Sequence, residues 1–130
     1  MSFRLEAIRG HESSAGVVDY RLARQQVIKQ FRKGRLSRLD VCDAHPELQR
    51  AAAGVGQPAR EPCPICEEEA LSLVTYAFGP RLPAGGLCVT NAREMAKLSR
   101  GRARVTCYVV EVCTGCAWNH LSRVFQVGPQ

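Results

Sequence analysis

No stretch of this 130-residue chain is apolar for long enough to cross a bilayer. Its longest apolar-rich run, "VTCYVVEV", is far shorter than a membrane helix, which needs about 20 residues. The opening residues, "MSFRLEAIRGHESSAG", contain no apolar core of the kind a secretory leader carries. These absences set the expectation of a soluble, cytoplasmic protein. Also missing are a Ser-His-Asp arrangement, a glycine-rich phosphate cradle and a paired-carboxylate motif. Hydrolytic chemistry has no visible apparatus, and the chain reads as a non-enzyme without a small-molecule substrate. No internal repeat or low-complexity tract interrupts it.

What the chain does hold is ordinary in bulk and uneven in detail. Apolar residues make up 45% and charged residues 23%, the range of a globular domain. Residues 1–60 carry eleven Lys/Arg against six Asp/Glu, whereas residues 61–130 carry seven against six, so the formal charge of +6 sits mostly in the first half. Such an excess favours a polyanionic partner without establishing one.

Residues 1–16 read as a flexible N-terminus and 17–53 as a helical subdomain. The stretch Val17 to Lys33 has Tyr20, Ala23, Val27 and Phe31 at helical spacing, with Ile28 at the edge of the stripe and Gly34 as the stop. Ser37 followed by Asp40 resembles a capping box for a short second helix. Pro46 opens a third helix that ends near Gly54. "GVGQPAREP" (54–62) reads as a linker by composition.

Beyond it the period changes. "LSLVTYAF" (71–78) is a strand, "GPRLPAGG" (79–86) a loop, and Asn91 caps a helix carrying Met95 and Leu98 that Gly101 closes. "RVTCYVVEV" (104–112) is apolar on both faces, as a central strand should be, with "AWNHLSRVFQV" (117–127) as its antiparallel partner. The expected fold class is α+β: an N-terminal helical segment, then a small antiparallel sheet over 63–128 with an inserted helix.

Seven cysteines in a reducing compartment point to metal or catalysis more than to disulfides. Four of them form two Cys-x-x-Cys pairs, Cys63/Cys66 and Cys113/Cys116, separated by 46 residues and each next to a predicted strand. Two residues between cysteines let the backbone turn so that both sulfurs reach one tetrahedral ion at about 2.3 Å. The layout is that of a zinc ribbon with two facing knuckles, and these four residues are the expected ligands of one structural Zn2+. Such knuckles commonly have Gly directly after the second cysteine. Glu67 and Ala117 stand there instead, leaving Gly115 to relieve the second turn.

The rival reading is a thiol-disulfide exchange motif, since Cys-Pro-x-Cys also serves that chemistry. Those motifs follow a buried strand and open a helix whose N-terminus lowers the thiol pKa. Cys63 follows a Pro-rich segment, and Glu67, Glu68 and Glu69 disfavour a bare thiolate. A ribbon this small buries little apolar surface, so metal binding should supply much of its folding free energy.

Cys88 and Cys107 have no neighbour at ligand spacing and read as small core residues. Cys42 and His45 have that spacing, but no further pair completes a second site. Their segment reads as a helix junction with a buried thiol. From Tyr20 through Leu39 there are seven basic residues and no acidic one. Arg21, Lys29, Arg32 and Lys33 fall opposite the apolar stripe, and Arg35 and Arg38 extend the patch. This surface could neutralise phosphates or simply face solvent. Trp118 and Tyr76 could stack on bases, although core packing suits their strand positions better.

The run "VVDYRLARQQVIKQFRKGRLSRLDVCDAHPELQRAA", then "CPIC", then "YVVEVCTGCAWNHL", resembles an actinobacterial family of unknown function, from about residue 17 to 128. The resemblance implies an intracellular zinc-ribbon protein with a helical N-terminal part, and the same four cysteine ligands. It implies nothing catalytic. The leading expectation is therefore a zinc-binding accessory factor that docks on a nucleic-acid-containing machine, ribosome or RNA polymerase, through the basic helix and ribbon. The alternative is a protein–protein adaptor with a structural zinc and no nucleic-acid contact.

Overall fold

A computed structural model describes residues 17–129. A two-residue strand β1 (Val18–Asp19) leads into helix α1 (Arg21–Arg32). The short α2 (Arg38–Val41) and α3 (Pro46–Val55) follow. Then come β2 (Gln57–Pro62), β3 (Ala70–Phe78), β4 (Leu87–Val89), α4 (Ala92–Ser99), β5 (Val105–Val112) and β6 (Asn119–Val127). The six strands form one antiparallel sheet in the order β1-β6-β5-β3-β2, with β4 also on β3. The fold is α+β, with the helical segment ahead of the main strands.

Local chemistry places the elements. Ser37 Oγ accepts from Asp40 N–H, and Asp40 Oδ2 accepts from Ser37 N–H at 2.8 Å, so the capping box closes α2 as its sequence predicts. Pro46 occupies the first turn of α3. The Asn91 side chain accepts from Glu94 N–H and caps α4. β5 lies between β3 and β6, the central position its β-branched run predicts; Val105, Cys107 and Val109 are buried on one face, while Tyr108 on the other is exposed.

Three readings need correction. Residues 57–62 are not a linker but strand β2, held on β3 with Gln57 opposite Leu73 and Pro62 opposite Ala70. Two prolines suit this edge position, where a missing N–H costs no ladder bond. A register shift between Pro58 and Pro62 contains Arg60 at φ 61°, as in a bulge. The first helix starts at Arg21 rather than Val17, because Val18 and Asp19 pair with Val124 and Arg123 of β6. Its inner stripe is also rotated: Ile28 is buried, Ala23 is exposed, and Arg24 turns toward the sheet. The third helix ends near Gly54 as its sequence predicts, at Val55 with Gly56 as the cap.

Helices cover both faces of the sheet. Met95 of α4 sits in a core with Ala77, Val105, Cys107, Val109 and Phe125. Ala52 of α3 covers Val74 and Val112 on the other face. A third cluster joins Ile28 and Val41 to Leu71, Trp118, Cys63 and Cys113 at one end of the sheet.

Candidate metal centre

Antiparallel pairing alone decides where the cysteines meet. β2 and β3 form a hairpin whose turn holds Cys63 and Cys66, and β5 and β6 form another whose turn holds Cys113 and Cys116. β3 runs against β5 with Ser72 opposite Val112, so both turns emerge at the same end of the sheet. The 46 intervening residues are absorbed by β3, β4, α4 and β5, with α4 as the insertion.

The two turns are built alike. Cys63 C=O accepts from Glu67 N–H at 3.0 Å, and Cys113 C=O accepts from Ala117 N–H at 3.0 Å. Cys63 N–H donates to Glu69 C=O and Cys113 N–H to Trp118 C=O, both at 2.8 Å, closing each loop. Amides also point at sulfur: Ile65 N–H donates to Cys63 Sγ and Cys116 N–H to Cys113 Sγ, each at 3.4 Å. The residues after the second cysteines take left-handed backbone, Glu67 at φ 60° and Ala117 at φ 72°. These are the two positions where glycine is the usual occupant. Gly115 does not relieve the second turn through a positive φ. A Cβ there would lie 2.6 Å from Glu69 Cγ, on the side chain of an exposed residue.

All four sulfurs lie within 4.8 Å of one another. Cys63 Sγ is 3.6 Å from Cys116 Sγ, and Cys66 Sγ is 3.7 Å from Cys113 Sγ. A tetrahedron with metal–sulfur bonds of about 2.3 Å has edges of about 3.8 Å, so the spacing fits a single ion and is far too long for disulfides. Burial pushes the Cys63 and Cys113 thiols up. Backbone amides, Glu69 first and then Glu68, bring Cys66 down to about 7. A cation among the four sulfurs would replace the protons that burial otherwise retains.

A fifth sulfur stands against this cluster. Cys42 Sγ–H donates to Cys116 Sγ at 3.5 Å. Its segment is tied to the second knuckle twice more, by Ala44 N–H to Ala117 C=O at 3.0 Å and by Asn119 Nδ2–H to Asp43 Oδ1 at 2.9 Å. The exposed Arg38 guanidinium is held above its ordinary pKa by hydrogen bonding to Cys116 and, less strongly, to Cys42. Burial raises Cys42 to about 11. Sequence spacing pairs Cys42 with His45, but the structure separates their roles: His45 Nδ1 accepts from Glu47 N–H at 3.1 Å and caps α3. No spacing rule could have revealed the association of Cys42 with Cys116, which are 74 positions apart.

Arg21, Lys29, Arg32, Lys33, Arg35 and Arg38 are all exposed along α1 and its exit. Arg24, the seventh basic residue of that stretch, is committed inward to Glu111. Trp118 is fully buried and donates to Glu111, which removes it as a stacking platform for bases. Tyr76 is half-buried beside an open groove. Cys107 is a core residue, fully buried in the cluster under α4, and Cys88 is half-buried beside α3. None of the described helices is long and apolar enough to cross a membrane.

Residues 12–130 match DUF5318, a family of unknown function, and the chain belongs to that family. It is 40% identical over 111 residues to the uncharacterized protein Rv0049 of Mycobacterium tuberculosis and to the uncharacterized protein Mb0050 of Mycobacterium bovis. Each match covers 85% of this chain and 81% of the relative. No solved structure matches the chain.

Proposed function

We propose that this protein is a non-enzymatic accessory factor. One structural Zn2+, bound by Cys63, Cys66, Cys113 and Cys116, locks two hairpins into a rigid end that presents α1 to a polyanionic partner. The observation that carries the metal half is the meeting of four sulfurs within 4.8 Å of one another, two of the spacings, 3.6 and 3.7 Å, matching the edge of a zinc–thiolate tetrahedron. Four thiolates fill a tetrahedral ion, leaving no open position for a water nucleophile, so the metal's role is to hold the fold. The docking half is supported by six exposed basic side chains between Arg21 and Arg38 with no acidic residue from Tyr20 through Leu39. A nucleoprotein machine such as the ribosome or RNA polymerase offers the matching charge.

The test is a titration of RNA and of duplex DNA at rising salt. Binding that weakens log-linearly, with a slope flattened in Arg32→Ala/Lys33→Ala, supports this reading; undetectable or salt-independent binding removes it. A protein-adaptor reading is favoured by one observation. Tyr76, Phe78, Tyr108, Val110 and Leu121 line a groove of about 470 Å³ on the sheet face left open by α3. Co-purification of a protein partner that survives nuclease treatment would select that reading.

A further inference from the structure

We propose that Cys42 and Cys116 are a disulfide-forming pair at the edge of the metal centre, and that their oxidation by a peroxide withdraws Cys116 from the ion and releases it. This deepens the metal reading above and rests on it. The pair differs from the other sulfur contacts in kind. Cys63–Cys116 and Cys66–Cys113 lie within the tetrahedron, whereas Cys42 falls outside the group of mutually close sulfurs yet touches one member at 3.5 Å. Both members are only partly buried. Three contacts, Cys42 to Cys116, Ala44 to Ala117 and Asp43 to Asn119, keep the α2–α3 junction on the second knuckle, so the two sulfurs cannot easily drift apart. The guanidinium of Arg38, itself exposed, lies against both sulfurs.

The chemistry closes. The metal-bound Cys116 thiolate donates its electron pair to one peroxide oxygen; the O–O bond breaks, hydroxide leaves, and Cys116 becomes a sulfenic acid. Cys42 sulfur then attacks the Cys116 sulfur, forming the S–S bond and expelling the sulfenic oxygen, which leaves as water with the Cys42 proton. In sum, one thiol, one thiolate and hydrogen peroxide give one disulfide, one water and one hydroxide; two sulfurs are oxidised and two oxygens reduced. Three thiolates remain for the ion, a set that leaves it open to competing ligands.

The experiment uses the full-length chain loaded with zinc, treated with hydrogen peroxide in the presence of a chromogenic zinc chelator. The expected result is zinc release in step with a mass loss of about 2 Da per chain. After trypsin, residues 39–50 should be joined to residues 105–123, with fragmentation placing the bond at Cys42 and Cys116. Cys42→Ser should load zinc normally and release it several-fold more slowly, while Cys88→Ser should behave as the unaltered chain. Release from Cys42→Ser at the unaltered rate, or a first disulfide within Cys63–Cys66 or Cys113–Cys116, overturns the proposal. Isolated protein that binds no zinc would remove the metal reading; mapping the first disulfide formed in that unsubstituted chain would still decide whether Cys42 pairs with Cys116.

Discussion

Arg24 of α1 reaches across 87 positions of sequence to Glu111 of β5, Nε to Oε1 at 2.6 Å, at a site where the carboxylate is almost wholly buried. The other oxygen of Glu111 accepts from Trp118 Nε1 at 2.8 Å. One buried carboxylate thus joins the basic helix, the central strand and the tryptophan beside the second knuckle. Its charge is tolerated because both oxygens have donors.

Removing the cation while leaving the carboxylate should therefore cost more than an exposed pair would. Arg24→Ala is expected to destabilise the fold by about 3 kcal/mol, since buried Glu111 keeps its charge but loses the cation on Oε1. Glu111→Gln keeps an acceptor for Trp118 and should cost less. Urea unfolding of both variants, followed by Trp118 fluorescence, reads the difference.

Metal removal should act on the sheet end rather than on a surface feature. Chelation, or Cys63→Ser, is expected to lower the melting temperature and loosen both knuckles, seen as lost amide protection at Ile65, Glu67, Cys116 and Ala117. Metal analysis should give one zinc per chain. Protons would compete with a bound zinc ion for the same sulfurs, so zinc affinity should fall as pH falls. The fall steepens below pH about 7, where Cys66 also binds a proton in the metal-free chain. A zinc titration across that range, against a chelating competitor, measures the slope.

Two knuckle residues carry backbone strain that glycine would relieve. Glu67→Gly and Ala117→Gly are each expected to raise the stability of the zinc-bound protein by up to about 1 kcal/mol, because φ values of 60° and 72° penalise a Cβ. Denaturant midpoints at saturating zinc test the sign.

Two glycines should respond differently to alanine. At Gly56 a Cβ would meet Ala52 O at 2.5 Å and Ser72 Cβ at 2.9 Å, so Gly56→Ala must push α3 off β3 and cost about 1–3 kcal/mol. At Gly115 the nearest neighbour is the side chain of exposed Glu69, which can swing away, and Gly115→Ala should be nearly neutral. Parallel thermal melts compare them.

The sequence by itself determined the parts governed by near neighbours. The capping box at Ser37, the Pro46 start and the Asn91 cap each depend on residues within one turn. So does the geometry of each Cys-x-x-Cys loop. β5 was legible as a central strand from its β-branched, apolar run, even though Tyr108 on its second face is exposed. Strand β2 was hidden, since an edge strand with two prolines carries the composition of a linker.

Tertiary structure alone decided the rest. Only the sheet register brings two hairpin turns to one end, and only helix packing turns Arg24 inward and places Cys42 beside Cys116. These contacts join residues tens of positions apart, where no local period operates. Their partners are chosen by which buried charge or sulfur lies opposite once the sheet has closed.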